Sequence, residues 1–196
     1  MKIIKLLILL LVSCSLSAKA GVVKISGSLK QFGLDRVSMN SDGIAAEVYH
    51  DRTIEIILDS NGRFDLKLKL KQPAYYKVGH NTLYLTPGDD LEIIFNRNTT
   101  KTTFNGKGIE ANNYLRNSAK LSGWEIAKIG RELNEFGLPK EKVSFEVYRY
   151  KVDSIVDASL DALAHLTAVT PEFRELEQIR LEACRLATCL LYTSPS

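Results

Sequence analysis

The sequence contains little cysteine: three residues in a chain of 196, and their spacing does not match a known reactive motif. Cys184 and Cys189 are five positions apart, so they do not form the C-x-x-C motif of thiol–disulfide exchange. No histidine lies near them to complete a zinc site or to activate a thiolate. The cysteine pattern therefore excludes a redox motif and a zinc site at this end of the chain.

The N-terminal apolar run, Leu6 to Val12, is too short to cross a membrane as a helix. Lys2 and Lys5 precede it, and the first twenty residues contain no acidic residue. This pattern is typical of a secretory signal. We therefore expect residues 1–20 to be a signal peptide and the protein to be exported to the periplasm or cell envelope.

Two processing sites compete within this leader. Ala18-Lys19-Ala20 is an A-x-A site for signal peptidase, which would leave Gly21 as the first residue. Leu11-Val12-Ser13-Cys14 instead resembles a bacterial lipobox, in which case the signal is residues 1–13 and Cys14 is lipidated. A lipid on Cys14 would be the one membrane attachment that the sequence predicts for this chain. Cleavage before Gly21 and lipidation of Cys14 both remain open.

Excess positive charge is also lacking once the leader is removed. The chain has 26 basic and 23 acidic residues, and three of the bases, Lys2, Lys5 and Lys19, lie in the first twenty residues. Cleavage before Gly21 leaves a net charge of zero, and cleavage before Cys14 leaves +1. Together with the lack of a basic stripe interleaved with aromatics, this argues against nucleic acid as a partner.

An alternation of apolar and polar residues dominates from Val22 to Asn105. The clearest strand is Phe64 to Leu70, in which every second residue is apolar. Thr53 to Leu58 precedes it, and the intervening Asn61-Gly62 is favoured in hairpin turns, so these two strands are predicted to pair as a hairpin. Six further strands are predicted at Val23–Ser26, Arg36–Asn40, Ala46–Tyr49, Tyr75–Val78, Leu83–Leu85 and Leu91–Phe95, with a last short one at Thr102–Phe104.

The apolar spacing changes to three and four after Gly108, as in helices. The first helix is predicted from an apolar pattern between Leu115 and Phe136, ending at Gly137-Leu138-Pro139. The second follows a stripe from Phe145 to Leu166. The third begins at the N-cap Thr170 with Pro171 in its first turn, and its apolar stripe is predicted to be Phe173, Leu176, Ile179, Ala183 and Leu186.

These patterns predict an α+β fold. Residues 21–108 form an antiparallel β-sandwich or partly open barrel of seven or eight short strands, and residues 109–188 form a segment of three α-helices. Residues 189–196 (CLLYTSPS) resemble a translated adapter sequence, so they are predicted to be a non-native tail.

The stretch Thr86 to Glu92 (TPGDDLE) concentrates three carboxylates. Adjacent Asp89 and Asp90 point apart on an extended chain, and Pro87-Gly88 fits the centre of a type II turn. We therefore expect a hairpin turn with solvated acids, rather than the paired carboxylates of acid–base catalysis. A calcium loop is disfavoured because apolar residues occupy the ligand positions that follow.

Other candidate groups also have structural interpretations. Asn105-Gly106-Lys107-Gly108 precedes a helix but does not meet a phosphate-loop motif, so it is predicted to be a strand-to-helix joint. Ser26 lacks the G-x-S-x-G context of a nucleophile. The three histidines and several aromatics are scattered over different elements: His50, His80, His165, Tyr75, Tyr76, Tyr84 and Trp124. No catalytic residue, metal site or cofactor site is predicted.

The order of several short motifs resembles the N-terminal half of exported Bacteroidetes-type thioredoxin-like proteins of the TlpA class. The motifs are VVKISGSL, the turn Asn61-Gly62-Arg63-Phe64, the turn Pro87-Gly88-Asp89, Gly106-Lys107-Gly108 followed by Asn112-Asn113-Tyr114-Leu115, and the final helix beginning TPEFRELEQIR. The resemblance covers most of residues 21–186.

The resemblance implies a β-rich accessory domain and a helical segment that precede a thioredoxin-like domain. No C-x-x-C occurs in this chain, so no catalytic residue carries over. The chain is expected to be the non-catalytic part of a thiol–disulfide oxidoreductase, with the missing thioredoxin-like domain and a periplasmic protein substrate as partners. The alternative is a non-enzymatic envelope protein whose β-domain binds a polypeptide or glycan.

Overall fold

The structure is a computed structural model that describes residues 20–41, 53–118, 129, 131–133 and 139–193. For residues 131–133, 139–142 and 187–193 the backbone alone is described. Several predictions fall outside these residues: positions 1–19 of the signal predicted at 1–20, with Cys14, the strand at Ala46–Tyr49, and the predicted helix positions 119–128 and 134–136 with Trp124.

The fold is α+β, as the sequence predicts. The strands are β1 (Gly21–Ser28), β2 (Arg36–Ser41), β3 (Thr53–Ile57), β4 (Arg63–Leu70), β5 (Ala74–Val78), β6 (Asn81–Leu85), β7 (Asp90–Ile94), β8 (Thr103–Lys107), β9 (Arg131–Leu133) and β10 (Pro139–Lys142). The helices are α1 (Ile109–Asn117), α2 (Phe145–Ala164) and α3 (Pro171–Thr193).

The first eight strands form two open four-stranded sheets rather than a closed barrel. Their orders are β4-β1-β7-β8 and β3-β2-β5-β6, and β9 pairs with β10 in a separate two-stranded sheet. Most neighbours are antiparallel, but β1 and β7 are parallel, with Lys24 opposite Asp90. This one parallel pair departs from the antiparallel pairing that the sequence predicts.

Alternation along the strands gives each sheet a buried face. In the first sheet Val23, Ile25, Leu91 and Ile93 are almost fully buried. In the second sheet Met39, Val78, Leu83 and Leu85 are buried to the same degree, and so is Tyr84 between the two leucines of β6. Burial of each such side chain contributes on the order of 1.5–3 kcal/mol. The opposite face of β1 and β4 carries polar residues, including Lys24 opposite Lys67.

The predicted hairpin of β3 and β4 is wrong in its pairing, although both strands and the turn exist. Gly62 adopts a φ of 70°, and the Asp59 carboxylate accepts hydrogen bonds from the backbone N–H groups of Asn61 and Arg63, both at 2.8 Å. β3 nevertheless pairs with β2 in one sheet and β4 with β1 in the other. The turn therefore carries the chain between sheets.

The chain divides into two compact units. The β unit is residues 1–97 with Asn105–Lys107, and the helical unit is residues 98–104 with 108–196. In the helical unit, α2 and α3 enclose a core of Val143, Tyr148, Val152, Val156, Leu181 and Cys184. None of the described helices is both long enough and apolar enough to cross a membrane.

Residues on α1 and α3 fix the loop that joins α2 to α3. The Glu110 carboxylate of α1 accepts hydrogen bonds from the backbone N–H groups of Thr167 and Ala168. Arg174 of α3 donates to the carbonyl oxygens of Leu163, in the last turn of α2, and of Leu166, just after it. These two charged side chains therefore supply hydrogen-bond partners to backbone groups of the loop and of the end of α2.

The helix predictions are confirmed for α2 and for the start of α3. Thr170 Oγ1 accepts a hydrogen bond from Phe173 N–H at 3.1 Å, as expected of an N-cap. The prediction of one helix from Leu115 to Phe136 is wrong. α1 ends at Asn117, and residues 131–133 form strand β9.

Candidate functional site

Asp89 is the first candidate, because the sequence places it at the tip of a turn. Thr86 to Asp89 form that turn: Gly88 has a φ of 89°, and Asp89 N–H donates to the Thr86 carbonyl at 3.0 Å. This is the geometry expected of a type II turn. The turn does not close a hairpin, since β6 and β7 belong to different sheets.

The predicted solvation of Asp89 is also wrong. Asp89 is buried, and its carboxylate accepts a hydrogen bond from Thr86 N–H at 2.7 Å. Burial raises the pKa of the Asp89 carboxyl, while the Thr86 hydrogen bond and the charge of Lys107 oppose that rise. The side chain closes its own turn, so its position accounts for its burial without a substrate.

The neighbouring acids do not join Asp89 in a catalytic pair. Asp90 is exposed and forms a surface ion pair with Lys24, Oδ2 to Nζ 3.3 Å. Glu92 is likewise exposed on β7. Within the described part of the chain, no group of three or more His, Cys, Asp or Glu side chains is arranged to hold a metal ion.

The glycine-rich segment at residues 105–108 is a joint, as predicted. Asn105, Gly106 and Lys107 end β8, and Gly108 caps the start of α1 with a φ of 97°. Lys107 Nζ donates to the Gly88 carbonyl at 3.1 Å, so it fastens the 86–89 turn. A Cβ on Gly106 would lie 2.1 Å from the Asp90 carbonyl oxygen, which explains the glycine by close backbone approach.

The remaining sequence candidates are dispersed. Ser26 is half-buried in β1, while His80 and His165 are exposed. Tyr76 and Tyr84 are buried in the β unit, and the rings of Tyr75 and Tyr84 are 4.9 Å apart, as expected for core and rim aromatics. His50 lies outside the described residues.

The helical unit contains a polar cluster that sequence reasoning missed. Glu177 of α3 is 0% exposed, and Arg180 one turn later donates to both of its carboxylate oxygens, with the shortest bond at 2.7 Å. Burial by itself would lower the pKa of Arg180. The hydrogen bonds to Glu177 and the charge of Glu177 outweigh this effect, so the pKa of Arg180 is raised. The two side chains therefore form a charged pair inside a helical interface.

The charges of Glu177 and Arg180 also act on the side chains of Tyr114 and Cys184. Tyr114 of α1 donates a hydrogen bond to the Ser159 carbonyl at 3.1 Å, and its ring packs edge-on against Phe173 at 5.9 Å. Burial, followed by the negative charge of Glu177, raises the pKa of Tyr114 to about 12. The phenol therefore stays protonated at neutral pH.

Cys184 completes the cluster. Its thiol is buried and donates to the Arg180 carbonyl oxygen at 3.2 Å. Burial raises the pKa of the thiol, the charge of Glu177 raises it further, and Arg180 acts in the opposite direction. A thiolate is the nucleophile in disulfide exchange, so this buried thiol is poorly suited to that chemistry.

The cluster was missed because the apolar stripe of α3 was placed on the wrong side. The predicted stripe includes Leu176, Ile179 and Leu186, all of which are exposed. The buried side instead follows Phe173, Glu177, Leu181 and Cys184, with spacings of four, four and three. The available signal was the Glu177–Arg180 spacing of three, which lets a guanidinium neutralise a buried carboxylate.

Comparisons with known proteins do not extend these observations. Scans of the chain against protein-family models, curated proteins and solved structures found no match. The resemblance to thioredoxin-like proteins of the TlpA class therefore stays a prediction from the sequence motifs.

Proposed function

We propose that this chain is the non-catalytic accessory region of an exported thiol–disulfide oxidoreductase, and that it positions a thioredoxin-like domain or its protein substrate. The motifs of the resemblance support the proposal. Two of its most specific pieces, the turns at Asn61-Gly62 and Pro87-Gly88, each carry the chain from one sheet to the other.

The observation that carries the non-catalytic part is the state of Cys184. The thiol of Cys184 is buried and hydrogen-bonded to a carbonyl oxygen, and burial raises its pKa. A catalytic thiol needs a lowered pKa and access to its disulfide substrate. The Glu177–Arg180 pair and Tyr114 beside it act as a packed polar network that holds the helices together.

Insulin reduction tests this part of the proposal. The full chain with dithiothreitol should reduce insulin no faster than dithiothreitol alone. The Cys184→Ser variant should give the same rate as the unmodified chain, because the thiol takes no part. Acceleration by the unmodified chain that disappears in Cys184→Ser would contradict the proposal.

The redox assignment itself is tested by the gene. We expect the native reading frame, determined from genomic DNA, to continue past Thr188 into a domain with a C-x-x-C motif. A frame that ends soon after α3 would reject the redox assignment and favour the alternative, a non-enzymatic envelope binding protein.

One observation favours that alternative. β4 is eight residues long and stands at the end of its sheet order, beside β1. Its outward face carries Lys67 and Lys69, so an added strand with acidic residues would match it in charge. An alternating Glu–Val peptide should then slow amide hydrogen exchange in β4, whereas an alternating Lys–Val peptide should not.

A further inference from the structure

α3 has a second apolar face in addition to its buried one. Leu176, Ile179, Ala183 and Leu186, termed the α3 stripe, are spaced three, four and three residues apart and so share one side of the helix. All four are exposed, and the three large ones retain 38%, 59% and 73% of their accessible surface. This spacing is that of positions a and d in a coiled coil.

The charges beside the α3 stripe differ between its two edges. Helical geometry places Glu175 and Glu182 along one edge, at the g positions of the repeat, and Arg180 along the other, at an e position. Both glutamates are exposed. The guanidinium of Arg180 is held by Glu177, and its side chain remains 35% exposed, so it is fixed in place within reach of solvent.

This charge pattern favours some binding partners of the α3 stripe over others. In a parallel pair of identical helices, the g position of one faces the following e position of the other, so Glu175 meets Arg180 of the second copy. An antiparallel pair would instead place the two glutamate edges together, which is unfavourable. The acidic edge also argues against an anionic lipid surface.

We propose that the α3 stripe is a self-association surface, on which the α3 stripe of a second copy of this chain packs in parallel. Large side chains at Leu176, Ile179 and Leu186 form the seam, and the small Ala183 allows the helices to approach closely. Glu175 and Arg180 set the direction of pairing.

Sedimentation of the full chain tests the surface. The unmodified chain should form a dimer at micromolar concentration, and Ile179→Glu should raise its dissociation constant by at least about 30-fold, as for a central interface residue. Tyr150→Glu is the matched control, because Tyr150 is 75% exposed on α2 and its substitution should leave the dimer intact. A monomeric unmodified chain, or equal weakening by both variants, overturns the proposal.

A charge reversal tests the direction. Glu175→Arg should weaken a parallel dimer roughly threefold, because it places two guanidinium groups together at the surface. In an antiparallel dimer the same change would remove a repulsion between glutamates and strengthen it. An unchanged or strengthened dimer would therefore overturn the parallel arrangement, with circular dichroism verifying that each variant keeps its helix content.

Discussion

Glu177 is a carboxylate without solvent contact, and Arg180 is the group that neutralises it. Glu177→Ala removes one partner of a buried pair and leaves a cavity, so it should lower the free energy of unfolding by about 3 kcal/mol. Arg180 is partly exposed and can recover some hydration, which keeps the loss below that of a fully buried pair. Urea unfolding followed by circular dichroism measures the change.

Glu182→Ala is the control for this prediction. Glu182 lies on the same helix with a side chain 49% exposed and a surface ion pair to Arg185. Its loss should alter the free energy of unfolding by less than about 0.5 kcal/mol. A similar loss of unfolding free energy in the two variants would show that the burial of the Glu177–Arg180 pair does not contribute to stability.

Asp89 should make stability depend on pH. Its folded pKa is raised by burial, so its contribution is fully present below the unfolded value near 3.8 and is lost as pH rises through the folded value. Asp89→Asn cannot ionise, yet its amide oxygen can still accept the Thr86 N–H. The unfolding free energy of the native chain should therefore fall relative to Asp89→Asn between acidic and neutral pH.

Asp89→Ala separates the turn hydrogen bond from the charge. It leaves the Thr86 N–H without its side-chain acceptor, so it should be about 1–3 kcal/mol less stable than Asp89→Asn at every pH. A constant difference between the native chain and Asp89→Asn across the same pH range would contradict the raised pKa.

At the scale of elements, the close approach of β1 and β7 depends on Gly27. A Cβ at this position would lie 1.9 Å from the carbonyl oxygen of Ile93, its parallel partner on β7. Gly27→Ala should therefore cost at least about 3 kcal/mol in unfolding free energy, because the clash is with backbone. Gly79→Ala should cost only about 1–2 kcal/mol, since its φ is 57° but no atom lies within 4 Å.

Tyr114 links three helices, through a hydrogen bond to α2 and a ring contact with Phe173 on α3. Tyr114→Phe keeps the ring and should cost about 1 kcal/mol, whereas Tyr114→Ala should cost about 3–5 kcal/mol. The raised pKa adds a pH signature. Stability should fall from about pH 10 to 12 as tyrosine ionises in the unfolded chain, and this fall should be smaller in Tyr114→Phe.

Most elements could be predicted from the sequence, because strand and helix periodicities depend on which side of each segment is buried. Strand partners could not. The Asn61-Gly62 turn has local hydrogen bonds typical of a hairpin, but Leu58 N–H bonds to the Asp35 carbonyl and Leu29 N–H to the Gly62 carbonyl. These long-range bonds direct the two flanking strands into different sheets, and no local pattern encodes them.

The side of a helix that packs was predictable in part for α2 and not for α3. Tyr148, Val152 and Ser159 of the predicted α2 stripe are buried, but Ala162 of that stripe is exposed, and Val156 and Leu163, which lie outside it, are buried. α3 has two candidate faces, and the buried one contains Glu177, which a hydrophobic pattern passes over. The candidate site was therefore hidden by a charged residue that packs only with its neutralising partner.

At the scale of the whole molecule, the chain has two compact units, each with its own buried residues. Because each unit has a separate core, we expect calorimetry of the full chain to show two unfolding transitions. Gly27→Ala should lower the midpoint of one transition and Glu177→Ala that of the other. The double variant should show both shifts added, since substitutions in separate cores without shared partners are additive. A single transition that both substitutions lower would instead mean that the two cores unfold as one cooperative structure.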